Sequence, residues 1–489
     1  MINLEVNTKA RKNNIQRCRE KSIRIPTFKQ MKNPASLSEQ VKESLRQTGL
    51  KEINPVNLFR ITWKNDPKEN GGLFSGVNYL EFPEELTGVK ARIVALPGKW
   101  FPIGAHKVGA AFGCLVPQLI TGNFDSTWQK AVWPSTGNYC RGGVFNSALL
   151  GCSSLAILPE GMSRERFNWL MEIGAEVITT PGTESNVKEI FDKCNELRLQ
   201  RQDVVIFNQF EEPGNYLWHY EVTGNAVLEL FEQMRKKNSR LKPSAFVSST
   251  GSAGTIASGD RLKEEYPNLK IAATEALQCP TLLQNGFGSH RIEGIGDKHV
   301  PWIHNVRNTD LIVDIDDNAC LSLFRLFNEP LGREFLIQEA IPADVVLKLH
   351  LCGISGIANL LSAIKLARYY ELTENDVIFT VLTDSADMYN SRLQELRTEE
   401  GDYTERDAAK AFGHYLMPSK DISSLKELNY YDRKRIHNLK YFTWIEQQGK
   451  SVEELNSQWY EAEYWAGIRS QAGEIDRLIE EFNKEVECV

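Results

Sequence analysis

A chain of 489 residues, 42% hydrophobic and 25% charged, has enough apolar side chains for two or three packed units, which excludes a disordered protein. A net charge of -7 argues against general nucleic-acid affinity, and nine scattered cysteines with no C-x-x-C pair exclude a disulfide framework and a zinc ribbon. No apolar run approaches the roughly 20 residues that cross a bilayer, and the opening is polar and basic, so the expectation is a cytoplasmic protein without membrane or metal.

The opening stretch "KARKNNIQRCREKSIRIPTFKQMK" is locally basic. It is read as an arm packing on the body or on a partner subunit rather than an RNA-binding tail; Glu5 and Glu20 count against a targeting peptide. From about Lys90 to Asp387, short apolar runs alternate with longer amphipathic stretches. Strands are predicted at 91–96 (ARIVAL), 131–135 (AVWPS), 153–159 (SSLAILP), 176–181 (EVITTP), 204–209 (VVIFNQ), 244–250 (SAFVSST), 270–276 (KIAATEA) and 376–384 (DVIFTVLTD). Parallel strands need helical crossovers and are buried on both faces, so this alternation predicts an α/β fold with a largely parallel sheet and ligands at the carboxyl ends of its strands. Beyond about Glu400 only helices are predicted. Ser451 and Glu454 form a capping-box pattern, and Ile475, Leu478, Ile479, Phe482 and Val486 share one helical face suited to core or a subunit contact.

Three loops that follow strands, and one lysine, carry the chemistry. "PSTGNYCRGG", residues 134–143, offers hydroxyls, an amide and free N–H groups at a helix start, which suits a carboxylate or serves as a plain cap. In "SSTGSAGTIASG", 248–259, Gly251 and Gly254 let successive N–H groups converge on a phosphate. The Gly-Lys-Ser/Thr ending of a P-loop is absent, and the dinucleotide fingerprint needs a glycine where Ala253 stands. Glu275 nevertheless ends the next strand at the spacing of a ribose-binding acid, which keeps a nicotinamide dehydrogenase open as a rival. In "VLTDSADMYNSR", 381–392, either Asp384 or Ser385 faces a ligand or caps a helix. Lys107 sits among small and apolar residues in "KWFPIGAHKVGAAFG". A phosphate cradle, a carboxylate-friendly loop and a desolvated lysine together meet the needs of a pyridoxal phosphate enzyme, in which a free amine forms an imine with the cofactor aldehyde.

The succession "STGNYCRGG", "LPEGMSRERFNWLMEIGAEVITTPG", "FNQFEEPGNYLWHYEVTGNAV", "GSAGT", "GSHRIEGIGDKHVP", "CGISG" and "LTDSADMYNS" resembles the fold-type II pyridoxal phosphate enzymes, specifically the cysteine synthase and cystathionine β-synthase family, from Arg92 to Leu396. The resemblance implies a two-domain, tryptophan synthase beta-like α/β fold with largely parallel sheets and a helical C-terminal extension. Its expected divisions are an arm at 1–60, a larger cofactor-binding domain at 61–112 and 213–400, a smaller domain at 113–212 and the extension at 401–489. It implies Lys107 as the Schiff-base lysine, Asn138 on the ring hydroxyl, and Gly251, Ser252, Ala253, Gly254 and Thr255 around the phosphate. Ser385 falls on the pyridine nitrogen, and Ser135, Thr136, Tyr139 and Gln209 on the substrate carboxylate.

The implied activity is β-replacement or β-elimination on a serine- or cysteine-type amino acid through an aminoacrylate, by a homodimer. A serine/threonine dehydratase or a threonine synthase-like enzyme is the alternative. Several residues depart from the family's pattern: "FPIGAHK" before the lysine, Tyr139, Cys140 and Arg141 after the asparagine, and Asp297, Lys298 and His299 after the glycine turn. Arg141 is read as either a partner for an acidic substrate or a helix-surface arginine, and His299 as either an acid–base group or a satisfied loop histidine. The segment "NEPLGREFLIQEAIPADVVLKLHL" is an insertion expected to cover the site or meet a subunit.

Overall fold

The structure, a computed structural model, describes all residues except 69–71, 136, 163, 183–185, 418–420 and 488–489. Its strands are β1 (Leu80–Phe82), β2 (Arg92–Pro97), β3 (Lys130–Pro134), β4 (Ser153–Pro159), β5 (Glu176–Thr180), β6 (Val204–Ile206), β7 (Lys242–Ser249), β8 (Lys270–Ala276), β9 (Leu311–Ile315), β10 (Asp376–Leu382) and β11 (Leu425–Glu427). They form a seven-stranded sheet in the order β1-β2-β10-β7-β8-β9-β11 and a four-stranded sheet in the order β5-β4-β3-β6. Only the edge strands β1 and β11 run antiparallel to their neighbours. The two-sheet, largely parallel α/β fold read from the sequence is therefore the fold of the chain.

All eight predicted strands are present. Three were not predicted: β1 and β11 are three-residue edges, too short to show a pattern, and β9 carries a buried aspartate, Asp314, that interrupts an apolar run. β11 also corrects the expectation of helices alone beyond Glu400, because this segment closes the far edge of the large sheet against β9.

Sheet order decides where the loops meet. β10 lies between β2 and β7, so the turns leaving these three strands share one carboxyl edge. In the smaller sheet β3 pairs directly with β6, which brings Ser135 beside Gln209. Helix Lys107–Thr121 is buried along nearly its whole length, as expected of a helix apolar all round, and ends at Gly122 with φ 79°. It meets helix Pro213–Trp218 at a glycine contact: a Cβ on Gly113 would lie 2.3 Å from Gly214 O, and one on Gly214 would lie 2.1 Å from Gly113 O. Any side chain there would push the lysine-bearing helix off the site.

The two termini form one unit. Asp476 on helix Ala462–Glu487 accepts from Phe28 N (2.6 Å) and Lys29 N (3.2 Å), and Asn483 bonds both N and O of Ile25. The predicted stripe from Ile475 to Val486 is core, packed with Ile15, Ile25 and Phe28 of the basic arm. At the preceding helix, Ser451 Oγ accepts from Glu454 N at 3.1 Å. Phe335 of the insertion meets Phe412 at 5.8 Å, and the insertion's turn Leu349–Leu351 packs against the turn Ala386–Met388 that follows Ser385. No helix among the described residues is long and apolar enough to cross a membrane.

Candidate functional site

Lys107 opens its helix below the carboxyl end of β2. Its Nζ donates to Ser252 Oγ at 3.0 Å and to Gln209 Oε1 at 3.4 Å. Desolvation lowers its pKa to about 8, and the nearby Asp297 carboxylate opposes that fall. Asp297, itself buried, is pushed up to about 7, with Lys107 acting the other way. His106, fully buried beside the lysine, is held neutral by burial, its pKa brought down to about 3. A lysine near 8 is partly free amine at neutral pH, the nucleophilic form.

Ser252 is the hub of the glycine loop. Besides Lys107 it accepts from Asn215 Nδ2 at 3.0 Å, and Asn215 Nδ2 also donates to Gln209 O at 2.9 Å. The loop tolerates no side chain at its glycines: a Cβ on Gly254 would lie 2.1 Å from Asn215 Oδ1, and one on Gly251 would lie 2.3 Å from Gly294 O. Ala253 takes φ 59°, a left-handed conformation that costs a non-glycine residue about 1–2 kcal/mol. Among the described residues the N–H groups of Ser252, Ala253 and Thr255 meet no hydrogen-bond acceptor. Converging unpaired amides at the start of helix Ala257–Glu265 fit a phosphate, and the amine beside them fits an aldehyde, so these residues suit pyridoxal phosphate.

The loop after β3 supplies the opposite wall. Ser135 Oγ accepts from Gly137 N (3.0 Å) and from Gln209 Nε2 (3.3 Å), so Lys107, Gln209 and Ser135 form one hydrogen-bonded line. Thr136 lies outside the described residues. Asn138, the first residue of helix Asn138–Leu149, donates from Nδ2 to Asp384 Oδ2 at 2.6 Å. Asp384 also accepts from Tyr389 OH at 2.7 Å. Ser385 is buried next to it and borders a cavity of about 170 Å³ with Arg141 and Trp169.

Tyr139 points into the core: its hydroxyl donates to Phe207 O at 3.2 Å, and its ring meets Trp133 edge-on at 5.5 Å. Arg141 is neither on a helix surface nor open to solvent. It is 3% exposed, donates to Ile103 O at 3.0 Å and lies over the Trp169 ring at 4.6 Å. Glu275, the residue that kept the dehydrogenase open, has a structural role instead, because its carboxylate accepts from Leu282 N and Leu283 N and caps that turn. His299 has its ring against Phe210 at 4.8 Å and is held neutral by burial, its pKa lowered to about 3.

Two site residues escaped the sequence reading. Asn215 lies in the first turn of helix Pro213–Trp218, soon after β6, a position that could have been flagged as a strand-to-helix turn. Arg166 gave no local signal. Fully buried, it pairs with Glu293 at 3.1 Å and donates to Tyr389 OH at 3.3 Å, closing the smaller sheet's helix Arg164–Glu172 onto the loops of the larger.

Known proteins share this arrangement of chain. The profile of the family described as "Pyridoxal-phosphate dependent enzyme" matches residues 102–334. A cysteine synthase of Staphylococcus aureus is 31% identical over 261 residues, covering 53% of this chain and 75% of that protein. A probable cysteine synthase of Bacillus subtilis is 29% identical over 291 residues, 59% of this chain and 85% of that protein. Among solved structures, the O-acetylserine dependent cystathionine beta-synthase of Helicobacter pylori shares the fold at 23% identity with a TM-score of 0.53, covering 64% of this chain and 94% of that one.

Proposed function

Starting from the fact that this chain belongs to the pyridoxal-phosphate dependent enzymes, in the group of the cysteine synthases and cystathionine β-synthases, we propose that it exchanges or removes the β-substituent of a serine- or cysteine-type amino acid. The bound cofactor supplies an electron sink that loosens the α-proton and the β-substituent. The observation that carries the reading is Lys107, with its pKa lowered to about 8 and its Nζ 3.0 Å from Ser252 Oγ in the glycine loop. There the lysine would hold the cofactor through its amine, and its free amine would serve as the base for the substrate's α-proton.

The remaining roles are those that the family resemblance assigns, supported by the hydrogen bonds described above. The amides of Ser252, Ala253 and Thr255, with Gly251 and Gly254, hold the phosphate. Asn138, held by Asp384 through its amide, would meet the ring hydroxyl, and Ser385 would offer the pyridine nitrogen a neutral hydroxyl, which would keep the sink weak and suit β-chemistry over transamination. Ser135 and Gln209 hold the substrate carboxylate, Thr136 lies in the same loop, and Tyr139 stands behind it as packing for the loop. The resemblance to cysteine synthases favours replacement over elimination.

Borohydride reduction of the holoenzyme followed by peptide mass mapping should find the cofactor on residue 107, and Lys107→Ala should abolish both the adduct and turnover. O-acetylserine, O-phosphoserine, serine, cysteine and threonine are then offered with and without hydrosulfide. A new thioether or thiol amino acid marks replacement, and an oxo acid alone marks elimination. Absence of any product from all five overturns the proposal.

A further inference from the structure

We infer that the C-terminal helices complete a pocket for the second substrate, and that this substrate is an organic thiol with an aromatic or apolar body and a carboxylate rather than hydrosulfide alone. The inference rests on the β-replacement proposed above. A cavity of about 420 Å³ lies between helix Val187–Gln200, the loop that follows the glycine turn, and the C-terminal segment. Its apolar walls are Phe191, Val300, Leu439 and Phe442. The last two belong to sequence beyond residue 334, where the family profile ends.

One wall of this cavity is shared with the site. His299 lines it, and the ring of His299 rests on Phe210, the residue after Gln209, which accepts from Lys107 Nζ. Asp297, whose charge acts on Lys107, lies two residues before His299. The segment from Asp297 to His299 thus acts on the lysine at one end and lines the cavity at the other.

Its outer wall is pinned. Trp444 is fully buried, donates from Nε1 to Val300 O at 2.8 Å, and meets both Phe191 and His299 at 5.8 Å. Lys440 Nζ donates to Trp302 O and His304 O, each at 2.8 Å. Leu439 and Phe442 are therefore presented by an anchored helix and not by a loose tail.

Of the ionisable groups in the lining, Lys188 pairs with Asp192 and Glu189 accepts from Asn186, which leaves His299 and Lys298 for a ligand. His299 is 9% exposed and its Nε2 has no hydrogen-bond partner among the described residues. Lys298 lines the mouth, and among the described residues no carboxylate lies within ion-pairing reach of it. A volume in the range of drug-sized sites, with apolar walls, a neutral imidazole and a cation that has no carboxylate partner among the described residues, is far larger than hydrosulfide needs. Over the whole reaction the acetate leaves the β-carbon with the bonding electron pair, and the thiol sulfur then bonds there. The thiol proton passes to solvent, and no oxidant or reductant is consumed.

Holoenzyme with O-acetylserine is given hydrosulfide, thiophenol or para-mercaptobenzoate, and products are read by mass spectrometry. The expected result is saturable formation of the S-aryl cysteine from para-mercaptobenzoate. Phe442→Ala should raise the KM for both aryl thiols about tenfold, the scale of one lost apolar anchor, and leave hydrosulfide unchanged. Lys298→Met should raise it for para-mercaptobenzoate and spare thiophenol. Equal effects on all three thiols, or product from hydrosulfide with none from the aryl thiols, overturns the pocket.

If no thiol reacts, the β-replacement itself has failed, and calorimetric titration of holoenzyme with para-hydroxybenzoate judges the pocket separately. Binding that weakens in Phe442→Ala upholds it, and no binding to the unaltered enzyme refutes it.

Discussion

Asp384 Oδ2 accepts the Asn138 amide at 2.6 Å, a bond that joins the loop after β10 in the large sheet to the helix start after β3 in the small one. A carboxylate in this position fixes which way the amide of Asn138 faces, and hydrogen bonds to charged groups are worth about 1.5–3 kcal/mol. Asp384→Ala is expected to weaken pyridoxal phosphate binding about tenfold or more and to alter the bound cofactor's absorbance, with Lys107 still able to be reduced onto it. Equilibrium dialysis and spectra of the two proteins check this; unchanged affinity and spectrum would show that Asn138 is oriented by other contacts.

The pH dependence of cofactor loading follows from Lys107. The amine is competent when unprotonated, so the rate at which apoenzyme takes up pyridoxal phosphate should rise with pH and level off above about 8. The Asp297 carboxylate stabilises the ammonium form, so Asp297→Asn removes an influence that raises the lysine pKa, and the midpoint should move to lower pH. A midpoint near the ordinary lysine value, or a shift toward higher pH in the variant, contradicts the assignment.

Arg166 is buried with Glu293 at 3.1 Å and near Asp384 at 4.0 Å. Removing one partner of a buried pair leaves the other charge desolvated, at a cost of about 3–5 kcal/mol. Arg166→Met should therefore lower the denaturant midpoint strongly, and Arg166→Met combined with Glu293→Gln should recover part of the loss. A double variant no more stable than the single one would show that the two groups are not coupled.

Tyr139 is expected from the resemblance to touch the substrate, yet its hydroxyl is committed to Phe207 O at 3.2 Å. Tyr139→Phe leaves that carbonyl unpaired at a cost of about 1–3 kcal/mol and should leave the ranking of amino-acid substrates unchanged. A reordered ranking in steady-state assays would return the hydroxyl to the substrate.

Buried neutral histidines withdraw stability as pH falls. His106, His299 and His304 are each lowered to about 3 by burial, below the 6.5 of a free imidazole. The unfolded chain then binds more protons than the folded one between these values, so each histidine withdraws up to about 1.4 kcal/mol per pH unit as pH falls below 6.5. The raised carboxyl of Asp297 acts oppositely, gaining stability as pH falls below about 7. Glu212 and Asp314, raised to about 8 and about 7, act as Asp297 does, so the expectation is placed on one residue: below pH 6.5 the melting temperature of His304→Gln should lose less on acidification than that of the unaltered protein, and identical slopes would remove His304 from the account.

Eight of the eleven strands, the loops after them and the lysine that needs those loops are legible in the sequence alone. Apolar runs separated by helical stretches have few ways to be buried, and a glycine loop after a strand leaves amides facing a helix start. The strand order is not legible there, because pairing β10 between β2 and β7 depends on contacts between segments more than a hundred residues apart in sequence. That order alone brings Lys107, Ser252 and Asp384 to one edge. Side-chain direction is likewise a tertiary matter. Glu275 caps a turn, Arg141 and Tyr139 turn inward, and Arg166 reaches across two sheets, because burial obliges each polar group to find a partner wherever the fold supplies one.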